Sequence, residues 1–332
     1  MLKLISVLQK RLIIFIPITM VLGFLFGMKG DVLYLKKAIV PLTFLMVYPM
    51  MITLQLKKIV EGGDGKVQIA AQLINFLVVP VVAYGLGCIF FQDNVYLALG
   101  LLLTGLLPTS GMTISWTGMA KGNMAAAVKM TVFGLLLGSL LAPIYIQTLM
   151  GASISIKIIS VFKQIAIIIV IPLILGNLTQ RFLIHKFGQV RYQEEIKKRI
   201  TPFSTIGVLG IVFVAMALKA KSIVNNPGAL LWIFTPLLIL YLVNIAVSGI
   251  VGKLCFDRGD GIALLYGTVM RNLSIALAIA MTAFGDEGAD IALVVALGYI
   301  IQVQLAAWVV HFTDSIYGPV QEVEQAVKKK AI

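Results

Sequence analysis

Charge and reactive side chains are scarce in this chain. Asp, Glu, Lys and Arg make up 12% of its 332 residues, where a water-soluble domain carries roughly 25%. Hydrophobic residues make up 60% and the mean hydropathy is +1.01, more apolar surface than a soluble fold could hide. Only two cysteines occur, Cys88 and Cys255, with no CxxC pair and no neighbouring histidine, which leaves metal, disulfide and thiol chemistry without support. Of the two histidines, His185 sits in a basic segment and His311 at the end of an apolar run, so neither suits a proton relay. A GxxxxGK[ST] loop is absent, against a built-in ATP motor. Every Asp and Glu lies in or beside a loop, Asp290 at the edge of the last apolar run included, so an intramembrane enzyme would lack its base or metal cluster. Neither enzymatic activity nor a metal or cofactor is expected.

What the chain has is apolar runs of about 20 residues, the length that spans a bilayer as a helix. Ten occur, over 12–28, 38–56, 67–91, 95–119, 124–149, 158–180, 203–220, 229–254, 261–284 and 289–312. Backbone amides in hydrocarbon must be satisfied internally, and continuous rather than alternating runs select helices over a barrel. Lys3, Lys10 and Arg11 ahead of the first run mimic a signal peptide, but no small-x-small site follows, so the run counts as a first span.

The net charge of +13 lies in short segments between runs and not along one face, which excludes nucleic acid as a partner and leaves membrane lipid. With ten spans, and Lys163, Lys219 and Lys253 near run ends assigned to the nearer side, eighteen of the 27 basic residues fall on the side of the termini and seven on the other, while Lys129 and Arg271 count as inside spans. The positive-inside rule then makes both termini cytoplasmic in a cell membrane.

The halves match at a shift of about 161 residues: Ile39-Val40-Pro41 with Ile200-Thr201-Pro202, and Gly105 with Gly267. The Ile16-Pro17 pair echoes Ile171-Pro172 at a slightly shorter shift. Five spans per half is an odd number, so residues 158–332 should repeat residues 1–157 upside down, the inverted repeat of secondary transporters. The expected fold is thus an all-α integral membrane protein of ten helices in two inverted five-helix repeats forming one membrane domain.

In such folds interrupted helices of the two halves cradle the solute near the midplane. The fourth run holds Pro108-Thr109-Ser110-Gly111-Met112-Thr113, with breaks expected at Pro108 and Gly111. At the matching shift the ninth holds Met270-Arg271-Asn272-Leu273-Ser274. A guanidinium at membrane depth costs from about 3 to more than 10 kcal/mol. Lacking a buried carboxylate, Arg271 should face water, carbonyls at a helix end, or an anion. Lys129, five residues into its run, is expected to snorkel to the surface. Gln72, Asn75, Asn244, Ser248, Gln302 and Gln304 are candidates for buried interhelical hydrogen bonds.

Over its whole length this pattern resembles the superfamily of bile acid:sodium symporters and arsenical-resistance permeases. The resemblance is carried by Met46-Val47-Tyr48-Pro49-Met50, by Trp116, and by Pro108 to Asn123 with its closing Ala120-Lys121-Gly122-Asn123. It implies a panel and a core of helices around a site where broken fourth and ninth helices cross. The arsenical permeases use a thiolate and a carboxylate where this chain has Thr109 and Ser274. At the symporters' sodium positions Asn75 stands for a glutamine, while Thr113 and Thr131 keep hydroxyls. Ile114 and Ala127 replace polar ligands, Gly267 replaces the shared acidic residue, and Arg271 takes a glutamine position.

A fixed guanidinium in place of a recruited cation implies sodium-independent transport of a small organic anion by alternating access. Arg271, Asn272, Ser274, Thr109, Ser110 and Thr113 would bind it, and Asn75, Thr131 and Gly267 would be a vestigial ion site. The alternatives are arsenite or antimonite efflux and a sodium-coupled carrier. An ion channel suits the paired breaks less well, and the twenty or so residues after Phe312 are few for a sensor's output domain.

Overall fold

The computed structural model describes residues 12–56, 63–151, 158–225 and 227–319. Lys3, Lys10, Arg11, Lys57, Lys58, Lys157, Lys328, Lys329 and Lys330, and the expected boundary at residue 157, lie outside them. The apolar runs fold as helices: α1 (Leu12–Met28), α2 (Ile39–Ile52), α3 (Gly65–Phe90), α4 (Val95–Leu106), α5 (Gly111–Met119) and α6 (Met124–Met150). The chain continues in α7 (Ile158–Ile165, extended through Ile171–Phe187), α8 (Lys197–Asn225), α9 (Gly228–Cys255), α10 (Arg258–Val269), α11 (Leu273–Ala283) and α12 (Gly288–Tyr317). Among the described residues seven helices are long and apolar enough to cross a membrane, and further apolar helices are shorter. Among the described residues there is no strand, only one isolated bridge. This is a multi-pass helical membrane protein.

Prolines shape the helices locally. In α3 a π turn over Ile74–Val78 runs into Pro80, and in α7 one over Ala166–Val170 runs into Pro172. A proline has no amide hydrogen to give the carbonyl four residues back. In α3 that carbonyl belongs to Phe76, and the Tyr145 hydroxyl of α6 takes it up.

Two groups of helices result. α1, α2, α7 and α8 pack on one another as a panel, and α3 to α6 pack with α9 to α12 as a core; the panel meets the core mainly along α11 and α12. Helix ends gather at two faces. One holds Lys36, Asp286, Lys219 and Asp290, the other Asp64, Asn123, Arg258 and Asp314.

At the second face Asn123 donates to Asp64 at 2.9 Å and to Asp260 at 2.7 Å. Burial pushes the Asp260 carboxyl above its ordinary range against the Asn123 bond, and Asp257 and Asp64 add to the rise. Lys129 corrects the snorkelling expectation: it turns toward this face but is only 4% exposed there, ion-paired to Asp64 at 2.9 Å. Gln304 is exposed, in contrast to the expected buried hydrogen bond.

Panel helices approach backbone to backbone. A Cβ on Gly207 of α8 would lie 2.5 Å from the Met46 nitrogen of α2, and one on Gly27 of α1 would strike the Ala217 carbonyl of α8. Small residues of this kind let membrane helices gain dispersion contact where lipid offers no hydrophobic drive. Gly207→Leu is expected to cost about 1–3 kcal/mol and lower the melting temperature in detergent. Gly249→Leu, where an added Cβ meets nothing within 4 Å, should melt near wild type.

Candidate functional site

The breaks expected in the fourth and ninth runs are present and are bonded to each other. α4 ends at Leu106 and α5 starts at Gly111; α10 ends at Val269 and α11 starts at Leu273. Between them Pro108 and Arg271 form an antiparallel bridge. The Thr109 amide donates to the Met270 carbonyl and the Asn272 amide to the Leu107 carbonyl, both at 2.7 Å. Each interruption frees amides and carbonyls that would cost several kcal/mol unpaired in hydrocarbon, and the two interruptions satisfy one another.

Thr109 carries the strain of this arrangement. Its φ is +61°, a left-handed conformation that is a true outlier for a β-branched residue and costs about 1–3 kcal/mol. Its amide is held by the bridge. Its hydroxyl donates to the Pro108 carbonyl at 2.7 Å, with the Met130 and Thr131 carbonyls of α6 at 3.3 Å. The side chain is fully buried and turned toward α6.

Both downstream half-helices begin with a capped N-terminus at the crossing. Ser110 caps α5: its hydroxyl accepts from the Met112 amide at 3.3 Å, and its own amide donates to the Thr113 hydroxyl at 3.1 Å. Asn272 caps α11, accepting from the Ile275 amide at 3.3 Å. These ends carry the positive pole of the helix dipole. Beside Gly111 an added Cβ would meet nothing within 4 Å, so the start of α5 borders open space.

The upstream half-helices present carbonyls instead. Those of α10 are capped by two asparagines, Asn75 of α3 on Gly267 at 3.0 Å and Asn244 of α9 on Thr268 at 2.7 Å. At the end of α4 the partner is Arg271, whose Nη1 donates to the Gly105 carbonyl at 3.3 Å. Its residue is 2% exposed and Nη2 has no partner. No described carboxylate pairs with it. Arg271 meets one of the environments expected for it, a helix-end carbonyl. The cation sits at the negative pole of α4.

Gln302 of α12 holds the Arg271 backbone from the other side. Its Oε1 accepts from the Arg271 amide at 2.7 Å and from the Tyr241 hydroxyl at 3.0 Å, and its Nε2 donates to the Arg271 carbonyl at 3.4 Å. The side-chain amide acts as a further strand beside the bridge. The sequence marked Gln302 only as an interhelical bond, and Tyr241 and Gly105 carried no signal for this role.

Thr113 is buried within the cap, Ser274 is half-buried with its hydroxyl 2.6 Å from that of Tyr299, and the Thr131 hydroxyl donates to the Ala127 carbonyl at 2.8 Å. The space a side chain at Gly267 would need is filled by the Met130 thioether. The crossing therefore brings together Thr109, Ser110, Arg271 and Asn272, with Asn75 behind Gly267 and Ser274 turned to α12.

Paired, capped helix breaks inside a multi-pass helical bundle mark a membrane transporter. The chain belongs to the sodium bile acid symporter family, whose model matches residues 40–226. It is 26% identical over 290 residues to the arsenical-resistance protein Acr3 of Alkaliphilus metalliredigens, covering 82% of this chain and 80% of that protein. To the uncharacterized protein YbaS of Bacillus subtilis it is 26% identical over 247 residues, 72% and 76% of the two chains. To sodium/bile acid cotransporter 7 of Danio rerio it is 23% identical over 194 residues, 55% of each.

Replacing Gln302 by Leu removes the partner of the Arg271 amide and of the Tyr241 hydroxyl. Each orphaned buried group costs about 1–3 kcal/mol, so the variant should melt several degrees below wild type in detergent. Unchanged melting would show that Gln302 does not hold the crossing.

Proposed function

We propose that this family member is a secondary transporter that moves a small organic anion across the cell membrane by alternating access, without sodium. Its ten crossings would form two inverted five-helix halves, 1–157 and 158–332, with both termini cytoplasmic. The reading rests on one observation above all: a buried guanidinium at the crossing that no described carboxylate neutralises.

A sodium ion needs a shell of oxygens, and the residues here do not supply one. Gly267 brings no carboxylate and Met130 fills its space. The Thr131 hydroxyl is spent on Ala127 and the Thr113 hydroxyl accepts from Ser110. Arg271 adds a permanent positive charge to the same crossing, where a second cation would be repelled.

An anion entering beside Gly111 would meet the amides at the start of α5 and the Ser110 hydroxyl, with the field of Arg271 behind them. Thr109, Thr113, Asn272 and Ser274 would shape this region. Arg271, sealed at 2% exposure, would supply charge at short range or be uncovered as the helices move. A second reading, arsenite or antimonite efflux, is favoured by the extent of the match to an arsenical-resistance protein. Against it, trivalent arsenic prefers soft ligands, and the hydroxyls of Thr109 and Ser274 are hard and already bonded.

Calorimetry of purified protein with small carboxylates and with arsenite, with and without sodium, tests the reading. Carboxylate binding should be independent of sodium and at least tenfold weaker in Arg271→Gln, a difference of about 1.4 kcal/mol or more. Arg271→Lys, which keeps the charge, should retain part of it. Binding that grows with sodium would defeat the proposal, and arsenite binding indifferent to Arg271→Gln would favour efflux. Melting curves confirm that each variant is folded.

A further inference from the structure

Among the described residues, the panel and the core are tied by charge at one face only. In the turn before α2, Lys36 pairs with Asp286 in the turn between α11 and α12. Near the end of α8, Lys219 pairs with Asp290 in the first turn of α12 at 2.5 Å. Each lysine belongs to the panel and each aspartate to the core. At the opposite face the ion pairs between described residues stay within one group. Lys129–Asp64 and Arg258–Asp314 lie inside the core, and Glu195 pairs with Arg191 and Arg199 on the panel side.

Space lies on the seam at this face as well. Beside Lys36 is a half-open cavity of about 260 Å³, lined by Ile39, Thr43 and Val47 of the panel and Met281 and Thr282 of the core, with the exposed Val40 and Phe44 at its mouth. The Thr43 hydroxyl there is buried and has no partner. At the other face the start of α5 borders open space at Gly111, and Ser115 and Met119 beyond it are exposed.

We propose that Lys36–Asp286 and Lys219–Asp290 form a latch that holds panel and core together at the outer face. Releasing them opens the seam over the Thr43 cavity. The two pairs contribute unequally. Asp286 is exposed, so its pair is screened by water and salt. Lys219 and Asp290 are 20% and 17% exposed and less screened, so their pair is the stronger tie. A latch of two pairs biases the equilibrium between closed and open outer faces without fixing it, as a carrier that must open both ways requires.

The proposal rests on the alternating-access reading, but its test reads access and not the solute. In a Cys88→Ser/Cys255→Ser background, Thr43→Cys places a thiol in the cavity. Its labelling rate by a membrane-impermeant maleimide added from the Lys36 side is measured in sealed vesicles. Adding Asp286→Asn and Asp290→Asn should raise that rate roughly threefold to tenfold. The charge swap Lys36→Asp/Asp286→Lys, which restores the pair in reverse, should return it toward the parent. An unchanged rate in the double asparagine variant, with normal melting, would overturn the latch. Should Asp290→Asn fail to fold, Asp286→Asn alone, at an exposed position, carries the same readout with a smaller rise. Failure of carboxylate binding would overturn the proposed substrate and leave this result standing.

Discussion

Two hydrogen bonds, from Thr109 to Met270 and from Asn272 to Leu107, join the interrupted helices, and the buried polar contacts of Thr109, Arg271 and Gln302 are arranged around them. In water a broken helix can give its free amides and carbonyls to solvent. In hydrocarbon it cannot. Neither interruption is tenable alone, and their meeting fixes how α4 and α5 lie against α10 and α11. Thr109 tolerates a left-handed backbone because this bridge and the carbonyls of α6 surround it. Gln302 extends the pairing on the far side of Arg271.

The helix poles left at the crossing are treated differently in the two halves. The carbonyl end of α10 receives two neutral amides, Asn75 and Asn244, while that of α4 receives a full cation. The amide ends of α5 and α11 are each capped by their own first residue. The net result is a midplane richer in positive potential than capping alone would give, with one guanidinium nitrogen and the Asn75 carbonyl oxygen left without partners. Unsatisfied buried groups of this kind raise the energy of the resting state and lower the cost of any state that pairs them. The free guanidinium nitrogen can only donate and the Asn75 oxygen can only accept, so the two call for opposite partners.

Packing divides the labour between the helix groups. The panel is held by close backbone approach at Gly27 and Gly207, and among the described residues makes little polar commitment to the core away from the face of Lys36 and Lys219. The core is knitted through its length by the bridge at the middle and by the Asp64–Asn123–Asp260 and Arg258–Asp314 contacts at one end. Rigidity in one group and a lightly tied seam between groups are what rigid-body motion requires.

Local chemistry was legible in the sequence. Apolar runs of bilayer length report helices because hydrocarbon permits little else, and Pro108 and Arg271 announced the two interruptions because a proline and a charge are both costly inside such a run. The sequence also showed that Arg271 had no carboxylate at its own depth. Only the tertiary structure decided what it touches: Gly105 lies 166 positions away, and no periodicity encodes a contact with a backbone carbonyl of another helix. The same holds for Lys129, whose burial against Asp64 depends on where the start of α3 lies against α6, and for Gln302, which looks like any polar residue in a membrane helix until Arg271 is beside it. A sequence sets the cost of each group in the bilayer, whereas the partner that offsets that cost is chosen by how distant helices pack.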